Sequence, residues 1–292
     1  MKLKLKLILF FAVFGLVISC KEKPKKSEMN TAEIEQESQQ LQAFFDKVYQ
    51  EDLEDSPMMQ TQIGLKTNYG QWDDFSHTKY PKDLEKAKKR LTYLKDSINV
   101  NALSKSEKLS YQLMRRELET EINDYKFRFY DYPINQMGGY HSSLPAFLIN
   151  QHRIDSVADA SAYIERLKGM QKVFEDIIKT MQIREKNGVL PPKFVFTKVL
   201  EDSKNVITGK PFSDSKENSV LLQDFSDKIT ALEISTEKKK ELLAHAKKVL
   251  KENVQPAYES LIQTLLDEDQ RATADHGVWK FPKGDEYYQN RL

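Results

Sequence analysis

Five histidines, His77, His141, His152, His245 and His276, are the residues of this 292-residue chain best suited to metal binding or proton transfer. None belongs to His-Glu-x-x-His, and no two sit at the i, i+4 spacing that sets a pair of imidazoles on one helical face. His152 and Asp155, three apart, read as a local hydrogen bond or helix-start contact, because no third ligand lies near them in sequence. His245 falls in a Lys-rich helical turn and reads as solvated. His141, within Gly138-Gly139-Tyr140-His141-Ser142-Ser143, is the best candidate for function, since loop residues on a scaffold are those that reach ligands. The carboxylate runs Glu51-Asp52-Glu54-Asp55 and Asp73-Asp74 have nothing apolar beside them to shift a pKa, so they read as solvated charge. The aromatic run Phe127, Phe129, Tyr130 and Tyr132 could stack on bases or sugars, but the helix-sized apolar spacing around it favours core packing. Gly-x-Ser-x-Gly and the phosphate-binding glycine loop are both missing from the sequence. No catalytic residue and no metal ligand is assigned within the chain.

One cysteine is present, Cys20. Lys2, Lys4 and Lys6 form a positive segment, and Leu7 to Leu16 an apolar one too short to span a bilayer comfortably. Val17-Ile18-Ser19-Cys20 then resembles the bacterial lipobox, a small residue directly before a Cys that closes an apolar stretch. That resemblance implies a signal peptide over 1–19, acylation of Cys20, and a lipid membrane as partner. Two or more acyl chains anchor stably where one anchors only marginally. Residues 20–29 read as the acylated Cys and a charged, disordered tether, and 30–292 as a helical domain. The expected location is the bacterial cell envelope, and Lys21 after the Cys is compatible with the outer membrane.

The elements that would position any site are helical. Glu, Lys, Leu, Gln and Ala are abundant, and only 10 Gly and 10 Pro occur. Asn30 with Glu33 suggests a helix start, with Ile34, Leu41, Phe44, Phe45 and Val48 on one face. Ser56-Pro57 opens a second helix and Pro81 a third. Ser104 with Glu107 forms a capping box ahead of Leu109, Leu113, Leu118 and Ile122. Tyr125 to Pro145 is ambiguous: Phe127 and Phe129 alternate with Lys126 and Arg128 as in a strand, the helix could equally run to Tyr130, and Gly138-Gly139 and Pro145 mark a loop. A long helix runs from Ser156 to Lys186 and stops at Asn187-Gly188. Phe194 to Ile207 is a shorter helix, Gly209 to Ser219 a mobile polar loop, and Thr236 to Asp269 a helix that Pro256 kinks or splits. Asp285 could cap a last helix through Tyr287 and Tyr288. The predicted class is all-α, a multi-helix bundle with kinked long helices and at most one short strand or hairpin.

Charge excludes one class of partner. Formal net charge is +1, and removing residues 1–19 with their three lysines leaves −2. A near-neutral chain with interspersed signs offers no electrostatic footprint for nucleic acid.

Several blocks together resemble the N-terminal half of the bacterial domain of unknown function 885 family. They are Ser56-Pro57 through Gly64, Tyr132 to Gly139 with Leu144-Pro145, Tyr163 to Leu167, Arg184 to Val195, Val254 to Tyr258, and Gly277 to Gly284 with Tyr287-Tyr288. Their order and spacing match over roughly residues 40–292. The resemblance implies a mainly helical, zincin-type metallopeptidase-like protein, often an envelope lipoprotein. In that family a His-Glu-x-x-Pro-Gly-His motif in the C-terminal half would bind zinc and activate water. This sequence holds no such motif, so no cofactor is expected in this chain, and zinc only if a C-terminal half exists. The expectation is a truncated chain ending at Leu292 and inactive alone, with a separately supplied C-terminal half and a peptide substrate as partners. Asn135, Gln136, Gly138, Gly139 and His141 would line a substrate channel. The alternative is a non-catalytic helical lipoprotein that binds a peptide or an envelope partner.

Overall fold

The computed structural model describes residues 31–292. The expected signal peptide over 1–19, Cys20, the expected tether and the expected helix start at Asn30 lie outside the described residues. Helices follow one another: α1 (Thr31–Glu54), α2 (Pro57–Gln62), α3 (Lys79–Ser97), α4 (Lys105–Asp124), α5 (Tyr140–Asn150) and α6 (Val157–Lys186). Then come α7 (Phe194–Val206), α8 (Val220–Thr230), α9 (Thr236–Val249), α10 (Gln255–Arg271) and α11 (Gly284–Arg291). No strand occurs among the described residues, only a single bridge between Lys210 and Asn218. The protein is an all-α bundle.

The chain starts and stops its helices by local chemistry. Ser56 accepts from the Met59 amide with Pro57 at the first helical position. Ser104 and Glu107 cap each other reciprocally. Ser156 accepts from the Asp159 amide at the head of α6. Gly188, at φ +77°, ends α6 in the left-handed region that suits glycine. Helix α9 runs through a π-turn (Leu250–Val254) into α10, so Pro256 stands at a helix start rather than in a broken interior.

Two apolar cores result. Leu41, Phe44 and Val48 of α1 pack with Ala87 and Leu94 of α3 and Tyr111 and Leu118 of α4. The larger core surrounds α6, whose Tyr163, Leu167, Met170, Phe174 and Ile177 are buried against α5 and α7 to α10.

One expectation fails here, that of Pro145 in a loop, and three further points resolve. Phe127 and Phe129 lie not in a strand but in and after a 3-10 turn (Tyr125–Phe127) that extends α4. Pro145 is inside α5, not in a loop. The proline lacks the amide that would bond the His141 carbonyl, and the Tyr258 hydroxyl donates to that carbonyl at 2.6 Å instead. Leu109 and Leu113 are 56% and 59% exposed, and Tyr111 and Leu118 hold the inner face. The Gly209–Ser219 segment is tied by Lys210 N–H to Glu217 O and Ser219 N–H to Lys210 O.

Candidate functional site

Tyr132 to His141 is where the sequence concentrates its candidates, and the backbone there folds on itself. Asn135 Oδ1 accepts from the amides of Met137 and Gly138, and its Nδ2 donates to Tyr132 O and Gly138 O. The Tyr140 amide donates to Pro133 O. A Cβ at Gly139 would stand 2.7 Å from the Ile134 Cα and 2.8 Å from Pro133 O, so only glycine closes this loop. Asn135, Gln136, Gly138 and Gly139 are thus brought together. The Asn135 side chain is consumed by its own turn, which leaves Gln136, the Gly138 backbone and the 88%-exposed Met137 at the surface.

His141 departs from the expectation of a loop residue lining a channel. It sits in the first turn of α5, 1% exposed, with Nε2 4.0 Å from Asp202 Oδ2 of α7 and no partner for Nδ1. Burial pushes its pKa down, and the Asp202 charge opposes that. The helix turns this side chain inward, so it does not share the loop's surface.

Beneath the loop, α6 supplies Arg184, 3% exposed. Its guanidinium donates to Asp131 Oδ1 at 2.7 and 3.1 Å, to Thr180 O and to the Tyr80 hydroxyl, and lies over the Phe129 ring. Burial works against this charge, but Asp131 and Tyr80 outweigh it and hold its pKa up. Arg184 and Glu268 of α10 line one crevice of about 10 Å³ with Tyr132 and Ile134. Glu268 is 2% exposed. Burial, with the Glu185 charge, raises its pKa to about 7 against the pull of Arg271. Burial also pushes Tyr132 up to about 12.

The aromatic run packs as a core, as its spacing suggests. Tyr130 and Tyr132 meet Phe281 edge-on, Phe127 meets Tyr287, and the Tyr130 hydroxyl donates to Pro282 O. The loop and the C-terminal segment are therefore one unit. Large apolar side chains stay exposed on that segment: Trp279 at 67%, Tyr288 at 53% and Leu292 at 82%.

A second polar centre, which sequence reasoning missed, lies nearer the head of α6. Arg166 is fully buried without any carboxylate partner. It donates to Gln71 O, Pro57 O, Thr61 Oγ1 at 2.7 Å and His152 Nδ1 at 3.0 Å. Arginine can only donate, so His152 Nδ1 accepts and its Nε2–H donates to Asp159 O. Burial holds His152 neutral with a pKa of about 3, and lowers Arg166 to about 10. The rings of Tyr69, Trp72 and Phe147 face the guanidinium. One signal was available in the sequence: Arg166 falls between Tyr163 and Met170 on the apolar stripe, where a charge is out of place. His152 does contact the start of α6, through Asp159 rather than Asp155, which pairs with Lys66.

The carboxylate runs are not simply solvated. Asp73 accepts from Ser56 Oγ and the Met58 amide at 2.8 Å each, fastening the Gly70–Thr78 segment to α2. Asp52 accepts from Arg90 and Lys86; burial works against its charge, but these cations outweigh that and hold its pKa low. A groove of about 620 Å³ separates Gly70–Thr78 from α6, with Asp74, His77, Lys172 and Lys179 on its walls. Exposed His245 stands in solvent and His276 meets the Phe194 ring. Among the described residues no group of three or more His, Cys, Asp or Glu is placed to hold a metal ion. The residues present do not fit a zinc centre.

An all-α bundle with this loop and C-terminal unit places the chain in a known class. It belongs to the family described as bacterial protein of unknown function (DUF885), whose model matches residues 57–292. Two solved structures, each described as a "putative lipoprotein", share the fold. The one from Colwellia psychrerythraea is 21% identical with a TM-score of 0.73, covering 87% of this chain and 45% of that one. The one from Shewanella oneidensis, of unknown function, is 16% identical with a TM-score of 0.53, covering 80% and 38%. The chain spans less than half the length of either. No curated protein matches it. No described helix is long and apolar enough to cross a membrane.

Proposed function

We propose that this chain is a lipid-anchored protein of the bacterial envelope that forms the non-metal-binding helical half of a metallopeptidase-like fold and hydrolyses nothing by itself. One observation carries the reading. The loop and the C-terminal segment, locked together by Tyr132–Phe281 and Tyr130–Pro282, leave Met137, Trp279, Tyr288 and Leu292 bare. These exposed apolar side chains are the surface that the reading takes as an interaction site. The solved structures that share the fold, of which this chain covers 45% and 38%, suggest what the occupant would be, the remainder of such a fold. In the assembly, Gln136 and the Gly138 backbone would meet a peptide.

The test is to purify residues 20–292 alone and together with a polypeptide matching the remainder of a longer family member. The two should co-purify, and chelator-sensitive peptide cleavage should appear only in the pair. One tightly held zinc per chain in the isolated segment, by elemental analysis, would overturn the reading. Anchoring is tested separately: Cys20→Ala should lose all fatty-acid label. The groove beside Gly70–Thr78 favours a second reading, a non-catalytic peptide-binding module. Peptide binding by the segment alone, lost in His77→Glu, would favour it.

A further inference from the structure

Helix α4 is amphipathic in an unusual sense. Its inner face carries Tyr111 and Leu118. At 100° per residue, Leu109 stands half a turn away from both, aimed outward. Lys105, Leu109, Gln112, Leu113 and Arg116 share that outward stripe, and no acid falls on it. Lys105 and Arg116 carry no carboxylate partner among the described residues, and Lys108 donates only to the Asn101 carbonyl. A solvent-facing helix stripe is ordinarily polar. Two leucines one turn apart, with Lys105 and Arg116 on the same stripe and the acids Glu117 and Glu119 kept to its edges, suit a helix lying at an anionic lipid surface.

Position selects the occupant. Leu109 lies fifteen residues before Asp124, about 22 Å along the helix axis. Asp124 is where Asn290 and Arg291 dock, so the leucine pair is remote from the bare C-terminal segment. The near end of α4 instead adjoins α1, where the Ser38 hydroxyl lies close enough to the Glu107 carboxylate to hold its pKa down. Helix α1 begins two turns earlier at Thr31, eleven residues beyond Cys20. Eleven residues reach at most about 40 Å. An anchor at Cys20 thus holds this face within reach of the bilayer.

We infer that the Leu109–Leu113 face of α4 rests on the anionic surface of the membrane that holds the lipid anchor, fixing how the bundle stands on it. The inference rests on acylation of Cys20, and the test keeps the two apart. Acylated full chain carrying Leu113→Cys and a fluorophore is placed on phosphatidylethanolamine–phosphatidylglycerol vesicles. Capped Cys20 leaves the new thiol as the only reactive one. A parallel arm replaces residues 1–20 with a polyhistidine tag held on nickel-lipid vesicles of the same composition, so it needs no acylation. In both arms iodide quenching should be lost relative to protein in detergent-free solution, while a label at Ser260→Cys on α10 stays accessible. Leu109→Asp should restore quenching with an unchanged thermal melt. A Leu113 label that remains fully open to iodide on nickel-lipid vesicles overturns the inference. So does shielding that appears without vesicles and grows with protein concentration, which assigns the face to a second copy. Absence of fatty acid on Cys20 with shielding intact in the nickel-lipid arm sinks the anchor alone.

Discussion

Arg166 and Arg184 lie five turns apart on α6, both buried, and each ties a long connection to that helix. They do so by different electrostatics. Arg184 has a carboxylate, Asp131, which is 65% exposed and recovers water if the arginine is lost. Arg166 has only neutral acceptors, two backbone carbonyls, a hydroxyl and an imidazole, of which the Thr61 and His152 side chains are buried. A neutral shell leaves the charge less stabilised, which is why Arg166 is pulled down to about 10 while Arg184 is held up. It also makes the shell dependent on the arginine, because its acceptors have nowhere else to turn.

The largest expected effect separates the two arginines. Arg166→Met keeps volume but orphans the acceptors, and should destabilise by about 4 kcal/mol in urea unfolding. Arg184→Met should cost about 2 kcal/mol, since Asp131 rehydrates. Equal losses would show that the contrast between neutral and charged shells has no energetic weight.

Acidity sharpens the same contrast. Glu268, beside Arg184, keeps its proton to about pH 7 when folded against 4.5 in the reference state. Its contribution is complete below pH 4.5 and is lost as pH rises through 7. His152, beside Arg166, stays neutral to about pH 3 against 6.5. Its contribution is complete above pH 6.5 and is lost as pH falls through 3. Stability should therefore decline on both sides of mild acidity. Glu268→Gln should gain about 2 kcal/mol at pH 8 and leave the acid limb alone, read from unfolding curves across pH. An alkaline limb unchanged in the variant would remove Glu268 from the account.

The smallest effect concerns the patch of backbone shared by α5 and α10. Tyr258→Phe should cost about 1–2 kcal/mol by leaving the His141 carbonyl bare. In a Pro145→Ala background that carbonyl regains a helical amide, and the cost of Tyr258→Phe should shrink by about half. A full, unchanged cost would mean that the hydroxyl matters through some other contact.

Helix starts and stops were legible because they depend on one or two neighbouring residues, as at Ser56-Pro57, Ser104 with Glu107, and Asn187-Gly188. The aromatic run was legible as core, though not its partner: Phe281 lies about 150 residues away and no local pattern points to it. Helix α5 was hidden behind Gly138-Gly139 and Pro145, and only the hydroxyl of Tyr258, 117 residues on, makes that proline tolerable. The outward leucines of α4 could not be assigned a side from the sequence, because a 3.6-residue period marks a stripe without saying which side of it is wet. In the candidate loop, the Asn135–Gly139 turn could be anticipated from its glycines. The inward swing of His141 could not, since it follows from α5 being a helix at all.

The widened turn at Leu250–Val254 sets the phase of everything after it. One additional residue in a turn rotates the following helix by about 100° relative to uninterrupted winding. Tyr258, Leu261, Leu265 and Glu268 all point inward on that rotated setting. Removing a single residue from this turn would swing all four toward water together, so the coupling of α5, the loop floor and the C-terminal segment depends on a count of residues rather than on any one side chain.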